Sequence, residues 1–591
     1  MNLFSFSSCI HFSTAVPLLA TALHAIPPAP NDPLITLDKL EVTATRSPAL
    51  TSPSLESARA ELALVPGGTE VIDSTRYLRG RASTVEDTFA LSAGVIAQSR
   101  FGSDEARLSI RGSGLQRTFH GRGLRVLQDG VPINLADGSF DMQALEPLSA
   151  AYINVWRGAN ALQAGGSTLG GAIDYVSRTG RDATPFLARV ELGSWNYLRA
   201  SAAAGGVHDS LDAYASFTQQ SQDGFRDHAV QNNQRFFANA GLRFLAKAET
   251  RFYVTAVNSE SELPGSLTRA QLDSNPRQAA PASRLLDQRR DFELLRIGNK
   301  TTLRTGETTW DFSAAWTYKD LDHPIAQIID QLSNDLLLGI AGTHHGEFLG
   351  RKNRLRVGAF FTRGVTRTAN FLNNSGLRGS LASQANQVAT NIEFFGEEQL
   401  TLGYGVTAIA GVTTAANRRE NERINGGAPS YTLDYDRVMP KIGLRWDSAR
   451  VQVFANLSES YEPPSFSEAL TLNTARHAQT ATTVETGTRG AYRFARWELA
   501  LYSASLKNEL LSVDHDNDPA TPAATVNADR TTHRGVEFST EIDLLGSDWS
   551  NTPTPTHRLV FRGAWTCGRF RFDDDHRYDD NTLAGLPPHL I

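Results

Sequence analysis

"LRVLQDGVPINLADG", residues 124–138, is the stretch from which the fold is best worked out. A short apolar run leads into Asp129-Gly130, a pair that supplies the positive φ of a tight turn. The chain restarts at Val131-Pro132, where the proline keeps Val131 out of helical conformation, and it breaks again at Asp137-Gly138. The stretch predicts strand, turn, short strand and loop. Many folds contain such a fragment, so its surroundings decide what it belongs to.

The surroundings, residues 69–180, predict a small α+β domain. "TEVIDSTRYLRGRASTVEDTFALSAGV", residues 69–95, offers a strand and then a helix. Val85, Phe89 and Leu91 have amphipathic spacing, and Gly94 stops the helix. Alternating strands and glycine-rich turns follow to residue 180, so the domain is expected to be compact.

From residue 185 to residue 591 the pattern changes to segments of about ten residues that alternate apolar with polar positions. In "RVQVFANLSES", residues 450–460, Val453 and Leu457 fall on one face and Asn456 on the other. A single soluble sandwich of about 100 residues cannot hold so long a run of strands. The sequence therefore predicts a transmembrane antiparallel β-barrel over residues 185–591.

Composition excludes other classes of protein. The chain has 57 Lys+Arg against 63 Asp+Glu, a net charge of -6, so no polyanion-binding surface is predicted and nucleic acid is not an expected partner. Its cysteines are Cys9 and Cys567. Because Cys9 lies in a segment expected to be removed, no disulfide is expected within the mature chain.

The N-terminal residues 1–25 are typical of a secretory signal, with an apolar run and small residues at Ala22 and Ala25. They contain no Lys or Arg, so a misassigned start codon is the alternative. Residues 26–68 have the composition of a linker. Within it, "LDKLEVTATRSP", residues 37–48, is a β-prone island suited to strand addition, or else a stray turn of linker.

Several motifs resemble signatures of the TonB-dependent outer-membrane receptors. They are, in chain order, "LSIRGSG" (108–114), "RVLQDGVPI" (125–133), "INVWRGANALQAGGSTLGGAIDYVSR" (153–178), "SYEPPSFSEA" (460–469), "HRGVEF" (533–538) and "LAGLPPHL" (583–590). The resemblance implies that residues 69–180 are a plug inside the barrel lumen. It also implies a monomer in the outer membrane of a Gram-negative bacterium, in contact with its lipid, which imports a scarce small-molecule ligand.

The resemblance further implies that TonB, energised by its inner-membrane complex, pairs with a box in the linker. The predicted TonB-binding residues are Leu40, Glu41, Val42, Thr43 and Ala44. No catalytic residue, cofactor or metal site is predicted, and the chain is not expected to be an enzyme. "DHDNDP", residues 514–519, resembles half of a calcium loop, but Pro519 stands where that loop needs glycine.

The apical loops of the plug are where the family binds its ligand. The predicted ligand-binding residues are Arg100, Phe101, Gln116, Arg117, Phe119, His120, Arg122 and Phe140. Guanidinium forks with aromatic walls suit an anionic, conjugated ligand. The alternative for each residue is that it only holds the plug in a polar lumen.

An iron-siderophore or other ferric chelate is the expected ligand, because these are the commonest cargo of the family. "DGFRDHA", residues 223–229, and "ELPGSLTRAQLDSNPRQA", residues 262–279, resemble a subgroup whose ligands include ferric citrate-like chelates and the redox cofactor pyrroloquinoline quinone. The quinone is therefore the alternative ligand, and a passive porin the alternative function.

Two features depart from the family pattern. One is "NALQAGG", residues 160–166, where the family usually has Leu-Tyr-Gly, and the other is the C-terminal end. The chain stops at Ile591 instead of a terminal aromatic residue, soon after a turn that normally precedes further strands. Against the family's expected barrel of about 22 strands, about four are predicted to be missing. A fragment, a pseudogene product or strands supplied by a neighbouring reading frame would explain this, and an open barrel edge is expected.

Overall fold

The computed structural model describes residues 48–82, 84–99, 105–114, 121–513, 523–545 and 559–591. All of these residues belong to one compact unit, residues 47–591. The predicted signal, residues 1–25, lies outside the described residues.

The first part of the described chain folds around a five-stranded mixed sheet in the order β1-β6-β7-β4-β5. Its helices and strands are α1 (Leu55–Ala63), β1 (Thr69–Asp73), α2 (Thr75–Leu78), α3 (Val85–Phe89), β2 (Val95–Ser99), β3 (Ala106–Ile110), β4 (Leu124–Gln128), β5 (Val131–Pro132), β6 (Ala150–Arg157) and β7 (Gly171–Ser177). Short 3-10 helices lie at Met142–Ala144, Pro147–Ser149, Gly158–Asn160 and Leu162–Ala164. Strand β4 pairs in parallel with β7, whereas β2 and β3 form a separate antiparallel hairpin.

The turn predicted at Asp129-Gly130 is confirmed. Both residues have positive φ, 58° and 79°, which lets β4 reverse directly into β5. The predicted helix is also confirmed as α3, capped by Thr84 and Asp87 in a capping box. Leu91 lies beyond the end of α3 and is exposed, so its apolar spacing did not reflect burial.

The core of this domain is apolar and closed to solvent. Ile72, Val126, Ile153 and Ile173 are fully buried between the sheet and the short helices, with the ring of Phe89 against that of Tyr175. Strands β4 and β7 are buried along their whole length, so both faces of the sheet are covered.

The rest of the chain consists mainly of long antiparallel strands. They are β8 (Phe186–Leu192), β9 (Leu198–His208), β10 (Leu211–Gln222), β11 (Gln231–Leu245), β12 (Ala248–Ser261), β13 (Asp291–Thr305), β14 (Thr308–Pro324), β15 (Gln327–Phe348), β16 (Arg351–Asn374), β17 (Leu377–Gly403), β18 (Val406–Asn425), β19 (Tyr431–Asp447), β20 (Val451–Glu462), β21 (Leu470–Thr471), β22 (Thr474–Ala475), β23 (Gln479–Tyr492), β24 (Ala495–Val513), β25 (Ala524–Asp543), β26 (Val560–Phe572) and β27 (His589–Leu590). Helices α4 (Arg269–Ser274), α5 (Pro281–Leu285) and α6 (Phe466–Ala469) lie in the connections.

Eighteen strands of the described residues form a closed barrel, β8 to β20 and β23 to β27, with the first domain inside it. The open edge predicted from the sequence is therefore wrong. The two-residue strand β27 pairs with β26 and stands between β26 and β8 in the ring. Among the described residues, no helix is both long and apolar enough to cross a membrane.

Alternation along the strands separates an apolar outer face from a polar lumen. In β20, Val453 and Leu457 are exposed on the outside, whereas Asn456 and Ser458 are buried inside. The short connections 209–210 and 246–247 lie at one end of the barrel, which we call the turn end. The long connections 223–230 and 262–290 lie at the opposite end, which we call the loop end.

Candidate functional site

Charged side chains cross from the plug domain (residues 69–180) to the inner wall of the barrel. The buried cross-lumen pairs are Arg111 with Glu485 and Glu537, Arg157 with Glu498 and Glu537, Arg122 with Glu462 and Glu468, Arg125 with Glu393, Glu146 with Arg199 and Arg235, and Asp141 with Arg290 and Lys319. Leaving one such charge without its partner costs about 3 to 5 kcal/mol. The plug is therefore held in one orientation by complementary charge.

Arg111 makes the densest of these contacts. Its Nη2 donates to Glu485 Oε1 at 2.7 Å and to Glu537 Oε2 at 2.9 Å, and its Nε donates to Glu537 Oε1 at 2.8 Å. The guanidinium also lies 4.3 Å from the centroid of the Tyr502 ring. Bidentate pairing of this kind needs the planar fork of arginine, so lysine would not replace it.

The motifs that resemble the family signatures meet at this interface. Arg111 belongs to "LSIRGSG", Arg157 to "INVWRGAN" and Glu537 to "HRGVEF". Gly112, at φ 84°, sits so close to the wall that an added Cβ would lie 2.8 Å from the Phe570 ring and 3.3 Å from Leu586 of "LAGLPPHL". Stretches that are far apart in sequence are thus parts of one contact surface.

At Glu146 the charges are reversed: the plug supplies the carboxylate, and the wall supplies the arginines. Burial alone would raise its pKa, but Arg199 and Arg235 outweigh burial and hold the pKa of Glu146 below its ordinary value. Its Oε1 accepts from Arg199 at 2.5 Å. The carboxylate therefore stays charged, and it pairs with strands β9 and β11.

The apex loop, residues 134–141, connects β5 to the first 3-10 helix at the loop end. Asn134 shapes it from within, because its amide donates to the carbonyl oxygens of Leu124 and Gly138 at 3.0 Å each. The wall holds it from outside: Ala136 N–H donates to Asp335 Oδ1 at 2.7 Å, and Asn391 Nδ2 donates to Ala136 O at 2.7 Å. Because hydrogen bonds from both the plug and the wall hold its backbone, the apex loop is fixed in one conformation.

A cavity of about 50 Å³ lies above the apex loop, between plug and wall. Asp137 and Ser139 of the apex loop, Lys319, Ser333 and Gln387 of the wall, and Phe466 of α6 are among its lining residues. Phe466 and Ser467 of the connection after β20 place it at the loop end of the lumen. One cation, one carboxylate, hydroxyl and amide groups and an aromatic ring can thus contact a polar molecule entering from that end.

Arg122 and Phe140 are the predicted ligand-binding residues that the structure describes. Arg122 is 3% exposed, pairs with Glu468 and donates to Pro463 O at 3.1 Å. Phe140 is buried in the plug core beneath Gly121, where an added Cβ would lie 1.8 Å from its ring. Both support the base of the loop 115–120, and their contact with ligand stays a prediction.

The other predicted ligand-binding residues, Arg100, Phe101, Gln116, Arg117, Phe119 and His120, lie outside the described residues. The ends of their loops are described. Gly114 packs against the backbone of Arg122, which joins the two ends of loop 115–120. Ser99 pairs with Ala106 across the hairpin that carries 100–104.

Arg290, Lys319 and Glu468 were missed by sequence reasoning. The alternation of apolar and polar residues shows that a side chain faces inward, but not which plug residue it contacts.

Residues 48–67 form a strap along the turn end of the barrel. Glu249 accepts from Leu50 N–H at 2.9 Å and from the Thr51 hydroxyl at 2.6 Å. At the other end of the strap, Arg489 donates to the carbonyl oxygens of Leu62 and Val65 just after α1. The described part of the chain therefore begins at the turn end of the barrel. The predicted TonB-binding residues, Leu40, Glu41, Val42, Thr43 and Ala44, lie outside the described residues.

A wide barrel with a separate domain locked inside its lumen defines a class of plugged outer-membrane transporter. Comparison with protein families agrees with this fold. The family described as "TonB dependent receptor-like, beta-barrel" matches residues 156–591, and the "TonB-dependent Receptor Plug Domain" matches residues 61–172.

Solved structures share the fold at low sequence identity. The unliganded ferric citrate transporter FecA has a TM-score of 0.74 and 16% identity, with 92% of this chain and 84% of that chain covered. The ferric yersiniabactin uptake receptor FyuA from Yersinia pestis has a TM-score of 0.69 and 15% identity, covering 89% and 82%. The alcaligin receptor FauA from Bordetella pertussis has a TM-score of 0.65 and 14% identity, covering 89% and 83%.

The chain belongs to the TonB-dependent receptor family. It is a transporter of the Gram-negative outer membrane and not an enzyme. Its predicted fold, a plug inside a large antiparallel barrel, is confirmed. The membership implies interaction with TonB and a transported ligand.

Proposed function

We propose that the transported ligand is an anionic ferric chelate, and that it binds between the plug apex and the connections at the loop end. The observation that carries the proposal is the common position of the loop bases. Arg122, next to loop 115–120, contacts Pro463 and Glu468 in the connection after β20. Asp141, at the end of the apex loop, contacts Arg290 just before β13. Both contacts lie at the loop end.

Chemistry supports an anionic ligand at this place. Arg117 belongs to the loop that starts beside Arg122, and Arg100 to the connection of the hairpin β2–β3. Guanidinium groups bind carboxylates in a bidentate fashion. Lys319 adds a cation at the wall, although Asp141 partly neutralises it. Ferric citrate and ferric yersiniabactin, named for the similar structures, belong to the same ligand class.

The turn end supplies the second half of the mechanism. A strand of TonB pairs with Leu40 to Ala44 and pulls on the chain before residue 48. The pull reaches the strap first, because the contacts of Leu50 and Thr51 with Glu249 are the nearest described attachments to the wall. Loosening of the plug then lets the ligand pass through the lumen.

Binding of a small ligand panel to the purified receptor tests the proposal. Calorimetry with ferric citrate, a ferric catecholate, a ferric hydroxamate and pyrroloquinoline quinone should select a ferric chelate. Arg100→Ala or Arg117→Ala should then weaken binding by about 1.5 to 3 kcal/mol, the worth of a hydrogen bond to a charged group.

Arg59→Ala is the matched control, because Arg59 is half exposed on α1 at the turn end, where it pairs with Asp73. It should bind like the parent. Selection of the quinone over every chelate would replace the ligand class. Unchanged affinity in both apex variants would move the binding site to the barrel connections.

A further inference from the structure

Two connections at the loop end bring a histidine and two carboxylates together. His228 lies in residues 223–230, Glu262 directly follows β12, and Asp287 follows α5. One donor atom from each of them lies within 4.8 Å of the others. We propose that His228, Glu262 and Asp287 bind a divalent transition-metal ion of the Zn²⁺ type, which clamps the two connections together.

The imidazole of His228 is oriented as a metal ligand should be. Its Nε2 lies 2.9 Å from Gln288 O, which can only accept, so Nε2 carries a proton. A backbone carbonyl bonded to the distal ring nitrogen is the usual partner of a metal-bound histidine. Nδ1 is thereby left with its lone pair on the side of Glu262.

The spacing fits a shared cation better than a direct bond. His228 Nδ1 lies 3.5 Å from Glu262 Oε1. A charge-assisted hydrogen bond would need about 2.7 to 2.9 Å. Two atoms that bind one tetrahedral zinc at about 2.1 Å stand about 3.4 Å apart. The pair is thus too far apart to share a proton well and correctly placed to share a metal.

The other carboxylate oxygens are already used. Glu262 Oε2 accepts from Val230 N–H at 2.9 Å, and Asp287 Oδ2 pairs with Arg289. Oε1 and Oδ1 remain directed at the imidazole, and Asp287 Oδ1 is 4.0 Å from His228 Nε2. The His228 side chain is 11% exposed, whereas those of Glu262 and Asp287 are 32% and 44% exposed. An ion can therefore enter from solvent and keep a water ligand.

The surrounding backbone makes the cluster rigid. Arg226 donates to the carbonyl oxygens of Pro264, Gly265 and Gln278, which ties "DGFRDHA" to residues 262–279. His228 and Asp287 both have positive φ, 56° and 47°, a conformation that such residues hold only when their surroundings impose it. A metal would link connections that are already in contact.

A second cluster at the loop end also combines a histidine with acidic residues, but its geometry is that of a direct ion pair. His576 Nδ1 lies 2.5 Å from Asp529 Oδ2, a direct ion pair with both side chains largely exposed. The proton occupies the position that a metal would need. His576 therefore provides a matched control for metal binding by His228.

Zinc binding to the chelator-treated, full-length receptor in detergent tests the site by calorimetry. The parent should bind one Zn²⁺ per chain. His228→Gln and Glu262→Gln should each weaken binding by more than the roughly 10- to 100-fold that follows loss of a supporting partner. His576→Gln should bind like the parent.

X-ray absorption of the zinc-loaded parent gives a readout that needs no variant. Imidazole nitrogen and carboxylate oxygen at about 2.0 to 2.2 Å are expected. Zinc should also slow proteolysis within residues 262–290 in the parent but not in His228→Gln. No zinc binding by the parent, an unchanged isotherm in His228→Gln, or loss of binding in His576→Gln would overturn the proposal.

Discussion

At the scale of single residues, buried ion pairs between the plug and the barrel hold the plug in place. Arg111, Glu485 and Glu537 are nearly inaccessible to solvent, and each finds its partner in the other domain. Such pairs add little net stability compared with apolar contacts, but a mismatched orientation would leave several charges buried and unpaired. They therefore select one docking of the plug rather than strengthen the barrel.

Asp129 and Asp174 are the exception, because they place two carboxyl groups side by side within the plug. Burial, followed by the charge of Asp129, raises the pKa of Asp174 to about 6, and burial raises the pKa of Asp129 as well. Ser177 donates to both oxygens of Asp129, whereas Asp174 accepts from Gly130 N–H. Lys300 of the wall donates to the backbone carbonyl of Asp129 at 3.2 Å, and its charge offsets part of the rise in both pKa values.

Asp174→Asn should stabilise the plug at pH 8 and remove a pH dependence. In the parent, the folded pKa of about 6 exceeds the unfolded value of about 4, so folding takes up a proton as the pH falls through 6. The parent should therefore gain stability between pH 8 and pH 5 relative to the variant, whose Oδ1 still accepts from Gly130. Thermal unfolding of both proteins across this range is the measurement. A constant difference between them would contradict the assignment.

At the scale of single elements, the turn end of the barrel differs from the loop end in how the chain is attached to the wall. At the turn end, the strap, residues 48–67, is tied through side chains to backbone carbonyls and N–H groups, for example by Arg489 and Glu249. Ala58 and Leu62 of α1 are also buried in small apolar clusters, Ala58 with Tyr152 and Leu62 with Trp156 of the plug. The strap is therefore joined to the plug as well as to the barrel wall.

Val42→Pro should abolish uptake and leave ligand binding intact. Strand addition to TonB needs the backbone N–H of the box, and proline removes that donor and bends the strand. Uptake of the selected ligand by cells and calorimetry on the purified variant are the two measurements. Thr45→Ala, which keeps every backbone donor next to the predicted box, is the control. Normal uptake in Val42→Pro would place the box elsewhere in residues 26–68.

For the whole molecule, features that depend on neighbouring residues were predictable from the sequence. Contacts between residues that are far apart in the chain were not. The turn at Asp129-Gly130 and the outward face of Val453 and Leu457 follow from neighbouring residues, and both are confirmed. Arg122 and Glu468 are 346 positions apart, and no local rule pairs them. Closure of the ring was missed for the same reason, because it depends on where β27 lies relative to β8.

The cluster at His228 shows the same limit at the candidate metal site. Its residues come from three separate segments, and their spacing in sequence matches no metal motif. "DGFRDHA" was singled out only for its resemblance to a receptor subgroup. Folding alone brings His228, Glu262 and Asp287 within reach of one ion.

Removal of the plug should convert the closed transporter into an open pore. The plug occupies the lumen and is held to the wall by the buried pairs of Arg111, Arg122 and Glu146. The intact protein should therefore let no small sugar through in a liposome-swelling assay. A variant lacking residues 48–180 should pass it freely, because the inward wall is polar and would fill with water. Val42→Pro, with its plug in place, should stay closed, and a heat-modifiable band on gels should show that each barrel has folded. Equal solute flux through the intact receptor and the plugless variant would instead favour a passive porin.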